Sequence, residues 1–221
     1  MTPPSQALVI FGLSNILSDL VDCAMAKRLS VARIVIDQPE VVGPRDLSLQ
    51  DRLAAWRAHG VTPEVLALED FQPGPGELYL LGPTTPTRAD LAARLEARFG
   101  LRFHTLVHPT AHVSPLARLG EGVFVGAHSV IAPGVVLSNH VFVNRGVTVG
   151  HDTHIGAFSR LQPGCHLASL SRLGVGVTVG MGALLTERLV VGDHVFIGAG
   201  AVLTGDAAAG TRILGARARK A

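Results

Sequence analysis

Beyond residue 106 the hydrophobic positions recur every six residues without interruption. Residues 107–208 form 17 such hexads, each opening on Val, Leu or Ile, from Val107, Val113 and Leu119 through to Ile197 and Leu203. The fifth position of the hexad is small or valine (Ala111, Ser129, Thr153, Cys165, Ala183, Ala201), with Leu189 the exception. A short fixed period predicts a solenoid, in which each unit buries its apolar edge only against its neighbours. Three hexads make a triangular coil, so residues 18 apart stack on adjacent coils and the solenoid is a parallel β-helix. Glycine recurs at position two (Gly120, Gly126, Gly150, Gly180), where a corner calls for a positive φ or a close backbone approach. Because the count never breaks, no long loop leaves the solenoid. Any site lies on its flat faces, at its corners or between subunits.

The first 106 residues follow a different rule. Residues 7–11 (ALVIF) are a short apolar run ending at Gly12, which reads as a buried strand and its turn. Residues 15–29 place Ile16, Leu17, Leu20, Val21 and Ala24 at helical spacing, with Ser14 as the N-cap candidate. Strands follow at 31–36 and 78–81 and, less clearly, at 61–68; helices follow at 49–59 and 87–99, the last closed by Gly100. Alternating strands and helices predict an α/β domain built on a parallel sheet. Its ligands bind beyond the carboxyl ends of the strands, which singles out Gly12, Asp37 and Gly82. Two of them have a plainer reading too: Gly12 as a simple turn, Asp37 as a strand-end cap.

Composition narrows the field. Residues 1–106 carry 10 Lys and Arg against 12 Asp and Glu, whereas residues 107–221 carry 9 against 5. Four of those nine (Arg212, Arg217, Arg219 and Lys220) crowd the end of the chain, so residues 209–221 form a basic tail on a near-neutral β-helix. A basic end without a basic face argues against nucleic acid as a partner. The tail is either a solvated terminus or a contact for ligand phosphates. No apolar run is long enough for a membrane span, and the Met1-Thr2-Pro3-Pro4 start lacks the pattern of a secretory signal. Cys23 and Cys165 form no metal-type pair and read as buried thiols in a reducing cytoplasm.

The hexad frame also sorts the histidines. Of the eight in the solenoid, most fall at outward positions four or six, and no two are 18 apart, so no stacked pair offers a zinc site and no metal is expected. His151 alone occupies position three, and Asp152 follows it. An imidazole held by a carboxylate keeps one tautomer and stays basic enough to accept a proton near neutral pH. The same two residues also fit an ordinary polar surface.

The segment Asn144-Arg145-Gly146-Val147-Thr148-Val149-Gly150-His151-Asp152 resembles a signature of bacterial sugar acetyltransferases of the left-handed β-helix, hexapeptide-repeat superfamily. The group in question contains sialic acid O-acetyltransferases and nucleotide-linked amino-sugar N-acetyltransferases. The resemblance spans almost the whole chain. It covers a small Rossmann-like first domain (1–106), a His-Pro-Thr-Ala-His lead-in at 108–112, uninterrupted hexads (107–208) and a Gly-Ala-Arg-Ala-Arg ending at 215–219.

That resemblance implies a homotrimer with acetyl-CoA in the cleft between neighbouring β-helices and a sugar or nucleotide-sugar acceptor. It makes His151 the general base, Asp152 the acid that raises its basicity, and Asn144 part of the same catalytic set. Ser169, one coil beyond His151, would offer its amide to the oxyanion. Met181 and Ala199 fall where the family contacts CoA by backbone, and Arg160 is grouped with them. Three positions depart from the family. Gly12-Leu13-Ser14-Asn15 stands where a glycine-rich turn is usual, Arg160 replaces a second histidine, and Ser169 replaces a glycine. The leading expectation is an acetyl-CoA-dependent N- or O-acetyltransferase. The alternative is a re-purposed trimeric scaffold or ligand-binding protein of the same fold.

Overall fold

Residues 6–215 are described by a computed structural model. The first four residues, and Arg217, Arg219 and Lys220 of the basic tail, lie outside the described residues. The chain divides into two units, Met1–Thr84 with Asp90–His104, and Thr85–Ala89 with Thr105–Ala221.

The first unit holds four strands, β1 (Ala7–Phe11), β2 (Ser30–Ile36), β3 (Glu64–Ala67) and β4 (Leu78–Leu81). All pair in parallel, in the order β3-β2-β1-β4. Central β1 buries Leu8 through Phe11 completely, which is why it reads as an unbroken apolar run. β3 is an edge strand with Glu64, Val65 and Ala67 exposed, hence its faint pattern in the sequence. Between the strands lie helices α1 (Leu17–Ala26), α2 (Leu49–Arg57) and α3 (Arg88–Phe99). α2 starts on a capping box in which Ser48 accepts the Asp51 N–H and Asp51 accepts the Ser48 N–H. α3 ends at Gly100, whose φ of 65° no side chain opposes and whose N–H donates to the Glu96 carbonyl.

α1 corrects one expectation. Its N-cap residue is Ile16, which forms no side-chain cap, and Ser14 instead donates its hydroxyl to the Gly82 carbonyl at 2.7 Å. The turn after β1 therefore serves the neighbouring strand end rather than the helix. The unit's centre is aromatic. Phe71 meets Phe11 and Phe99 edge to face, with ring centroids 4.8 and 5.2 Å away.

The second unit is the solenoid. Every hexad contributes a two-residue strand made of its predecessor's sixth position and its own first, and the strands stack into three parallel sheets. Face I carries seven strands, among them Phe124–Val125, Phe142–Val143, Arg160–Leu161, Thr178–Val179 and Phe196–Ile197. Face II carries six, among them Thr148–Val149, His166–Leu167 and Leu184–Leu185. Face III carries five, among them Val136–Leu137, His154–Ile155 and Arg172–Leu173. Through the regular hexads partners are 18 residues apart, as in Val143 with Leu161 and Leu161 with Val179. First-position residues from Val125 onward are buried, and the fifth-position valines beside them have no exposed surface.

Three features of the coil were not legible in the count. First, the left-handed backbone conformation sits at position four, not two: His128, His140, Asp152, Phe158, Leu170, Arg188 and His194 all have φ near 60°. Position-two glycines answer instead to close approach; a Cβ on Gly180 would lie 2.5 Å from the Ala199 nitrogen of the next coil. Second, buried fifth-position hydroxyls join adjacent coils. Ser159 donates to the Gly174 carbonyl and accepts from the Val177 N–H, and Ser171 does the same with Thr186 and Leu189. Third, the solenoid continues past the last regular hexad with a shorter step. Ala207 bridges to Val191 and Ile213 pairs with Ile197, in each case 16 residues on.

Candidate functional site

His151 and Asp152 occupy the corner between faces II and III, directly after the strand Thr148–Val149. Backbone bonds fix that corner from both sides. The Asp152 N–H donates to the Pro133 carbonyl of the preceding coil, and the His151 carbonyl accepts the Leu170 N–H of the next. Asp152 takes the left-handed conformation (φ 55°) that Asp tolerates better than most residues. This geometry turns its carboxylate back towards His151, and Asp152 Oδ2 lies 2.9 Å from His151 Nδ1. A carboxylate accepts, so Nδ1 donates, and in the neutral ring this leaves the lone pair on Nε2. Both side chains are more than half exposed, at 55% and 60%, so the imidazole is open to a reactant.

Gly134 is a site residue that the sequence reading missed. It lies 18 residues before Asp152, and a Cβ there would come within 2.1 Å of Asp152 Oδ1. The absent side chain makes room for the carboxylate. The signal was present in the 18-residue stacking, which places Gly134 directly under Asp152.

Ser169 stacks one coil beyond His151, as the 18-residue step requires. Its backbone nitrogen lies over Gly150, where a Cβ would approach to 2.7 Å. Among the described residues the Ser169 N–H enters no hydrogen bond, and it stands one coil beyond His151.

Asn144, Met181 and Ala199 stand at a different corner, between faces I and II. Asn144 is buried and held on three sides. It donates its N–H to the Leu161 carbonyl, accepts the Ser129 hydroxyl on its own carbonyl, and accepts the Arg145 N–H on Oδ1. Met181 is exposed, whereas Gly180 before it is buried and packs against the backbone of Gly198 and Ala199 on the next coil. Arg160 is at neither corner but on the outer side of face I, between Phe142 and Thr178. Within one chain the residues thus form two sets, one along each edge of face II. Face II itself presents exposed Val130, Leu184 and Val202 around the hydrogen-bonded pair Thr148–His166.

In the α/β unit the structure brings Gly12, Asp37 and Gly82 together at the carboxyl end of the sheet. Gly12 has φ 79°, and a Cβ on it would lie 3.0 Å from Asp37 Oδ1. A Cβ on Gly82 would strike the Gly12 carbonyl at 2.0 Å, so the two turns can pack only as glycines. Two residues join them that the sequence reading did not select as site residues. Ser14 bonds Gly82, and Arg94 of α3 reaches Asp37 Oδ2 at 3.1 Å.

Among the described residues, no group of three or more His, Cys, Asp or Glu is placed to hold a metal ion, and no helix is long and apolar enough to cross a membrane. Cys23 and Cys165 are free and buried, and burial pushes both thiols up to about 12.

No protein-family model matches the sequence, and no curated protein does. Solved structures do. The acetyltransferase domain of PglB from Neisseria gonorrhoeae is 27% identical, with a TM-score of 0.80 over 96% of this chain and 97% of that one. The same domain in complex with acetyl coenzyme A matches at 27% identity, 96% and 97% coverage and a TM-score of 0.79. PerB from Caulobacter crescentus, in complex with CoA and GDP-perosamine, matches at 26% identity over 95% of this chain and 94% of that one, with a TM-score of 0.74. The structural neighbours of this chain are therefore sugar N-acetyltransferases of the hexapeptide-repeat, left-handed β-helix family.

Proposed function

We propose that this chain is an acetyl-CoA-dependent acetyltransferase that acts as a homotrimer in the cytoplasm on the amino group of a nucleotide-linked sugar. The observation that carries the reading is the corner itself: an open imidazole, tautomer set by Asp152, beside an unused amide one coil away. Likeness to sugar N-acetyltransferases solved with acetyl-CoA or CoA favours nitrogen over oxygen as the nucleophile.

Acetyl-CoA supplies the acetyl group as a thioester. His151 Nε2 takes a proton from the acceptor amine as the nitrogen bonds to the acetyl carbon and the carbon–sulfur bond breaks. General-base assistance of this kind is worth roughly 10²–10⁴ in rate. Asp152 stabilises the imidazolium as it forms, and the Ser169 N–H donates to the carbonyl oxygen as its charge grows. Met181 and Ala199 hold the coenzyme by backbone contact at the other edge of face II. Arg160, grouped with them on sequence, is set apart from that edge. Three chains packed through the apolar side of face II would bring one chain's His151 corner near the next chain's Met181 corner, which joins the two sets of residues. The α/β unit, with its β3-β2-β1-β4 order, serves as a Rossmann-like domain that receives the nucleotide at Gly12, Asp37 and Gly82.

The scaffold reading draws support from the single glycine of the Gly12 turn and from Arg160. A thermal-shift titration with acetyl-CoA, joined to a thiol-release assay on nucleotide-linked amino sugars, decides between them. The transferase reading expects a rise in Tm with acetyl-CoA and acceptor-dependent thiol release. No shift at millimolar acetyl-CoA contradicts it.

A further inference from the structure

Among the described residues, the half-buried cation Arg160 has no counter-ion. Its Nε donates to the Thr178 hydroxyl at 3.1 Å, and among the described residues it forms no ion pair. The outer positions of face I along this stretch are Phe124, Phe142, Arg160, Thr178 and Phe196, with no carboxylate among them. Phe142 and Thr178 on either side are buried.

A second cation lies close behind. The guanidinium of Arg88, itself buried, donates to the carbonyls of His140 and Ser159 and sits 5.8 Å from the Phe158 ring. Ser159 is the residue before Arg160, so the two positive charges share one patch of backbone. Burial lowers the pKa of both, and Arg160 lowers that of Arg88 further, to about 9. A desolvated charge such as that of Arg160 is costly unless an anion offsets it.

The donors left on Arg160 indicate which kind of anion. With Nε engaged by Thr178, the two Nη groups remain as a parallel pair of donors, the arrangement that matches a carboxylate or phosphate edge. Arg160 also lies on face I, set apart from the His151–Ser169 corner as well as from Met181 and Ala199.

We infer that Arg160, backed by Arg88, is an oxyanion-recognition site for a carboxylate or phosphate group, which in the transferase reading belongs to the acceptor. Assigning the anion to the acceptor rests on the transferase reading; the binding of an oxyanion at Arg160 does not.

Isothermal titration of the full-length protein with sodium pyrophosphate and, separately, with glucuronate tests it. The expected result is salt-sensitive binding of at least one probe, the tighter one showing whether phosphate or carboxylate is preferred. Arg160→Gln should weaken that binding about tenfold or more, and Arg160→Lys should retain part of it. Arg172→Gln, which removes an exposed charge at the same hexad position on face III, should bind as the wild type does. Three outcomes would overturn the inference: wild-type protein that binds neither probe, R160Q equal to wild type, or R172Q as weak as R160Q. Loss of acetyl-CoA binding or of thiol release would leave these results untouched and bear only on the transferase reading.

Discussion

The β-helix and the α/β unit stabilise themselves by opposite rules. In the β-helix a residue's surroundings follow from its place in the six-residue count. Leu161 lies between Val143 and Val179 because it opens its hexad, and the same statement holds for every other column. In the α/β unit, neighbours are set by contacts that no period announces. Phe71 gathers Phe11 and Phe99, and the Arg33 guanidinium lies 4.8 Å from its ring. Repetition makes exceptions visible. A histidine at position three stands out in a solenoid, whereas Arg94 reaching Asp37 becomes visible only once the fold is known.

The comparison is sharpest in the two cores. Phe71→Ala removes a ring at the centre of an irregular cluster and should cost about 3–5 kcal/mol. Leu161→Ala deletes one rung of a repeated column and should cost about 2–5 kcal/mol, depending on how far the coil relaxes. Denaturant melts of both variants measure the difference. A cost for Leu161→Ala far below that range would mean that the columns are not load-sharing.

A smaller effect is expected at the hydroxyl bridges. Ser159→Ala leaves the Val177 N–H and the Gly174 carbonyl without their partner in a buried site, for a loss of about 1–3 kcal/mol. The same melts check it, and a neutral result would show that the bridges merely accompany the fold.

Acid should separate the two units by pH. Burial, followed by the positive charge of Arg88, pushes His140 down from 6.5 to about 4. Between those values the unfolded chain binds a proton that the folded chain refuses. The β-helix therefore loses about 1.4 kcal/mol for each unit by which pH falls through that window. His140→Asn, which tolerates the φ of 58°, should flatten the profile there. In the α/β unit burial raises the Glu77 carboxyl, but hydrogen bonds from Arg33 and the Gly74 N–H, with the charge of Arg33, outweigh it and hold the group below its ordinary 4.5. Stability from a depressed carboxylate is present above the unfolded value and disappears as pH falls through the folded one, so this contribution fails at lower pH than that of His140. Stability measured from pH 7 to pH 3, with and without His140→Asn, reads both windows.

The sequence pattern carried the solenoid, its triangular coil and the distinctive place of His151, because each depends on one period shared by all coils. It also carried the strand–helix alternation of the α/β unit. What it missed depends on contacts between residues remote in the chain. Ser14 looked like a helix cap because it precedes α1, yet the Gly82 carbonyl, brought close by strand pairing, claims its hydroxyl. The left-handed corner at position four was hidden because Phe158, Leu170 and Arg188 adopt it despite their side chains. Gly134 showed no motif of its own; its meaning lies in Asp152 folding over it one coil later.

The central claim is that the His151–Asp152 corner moves the proton during acetyl transfer. The direct measurement is the rate of acetyl transfer from acetyl-CoA to a nucleotide-linked amino sugar by wild-type protein and by His151→Ala, with acetyl-CoA affinity recorded for both. The account predicts a fall of roughly 10²–10⁴ in rate with coenzyme affinity unchanged. A variant that keeps near wild-type turnover would contradict it.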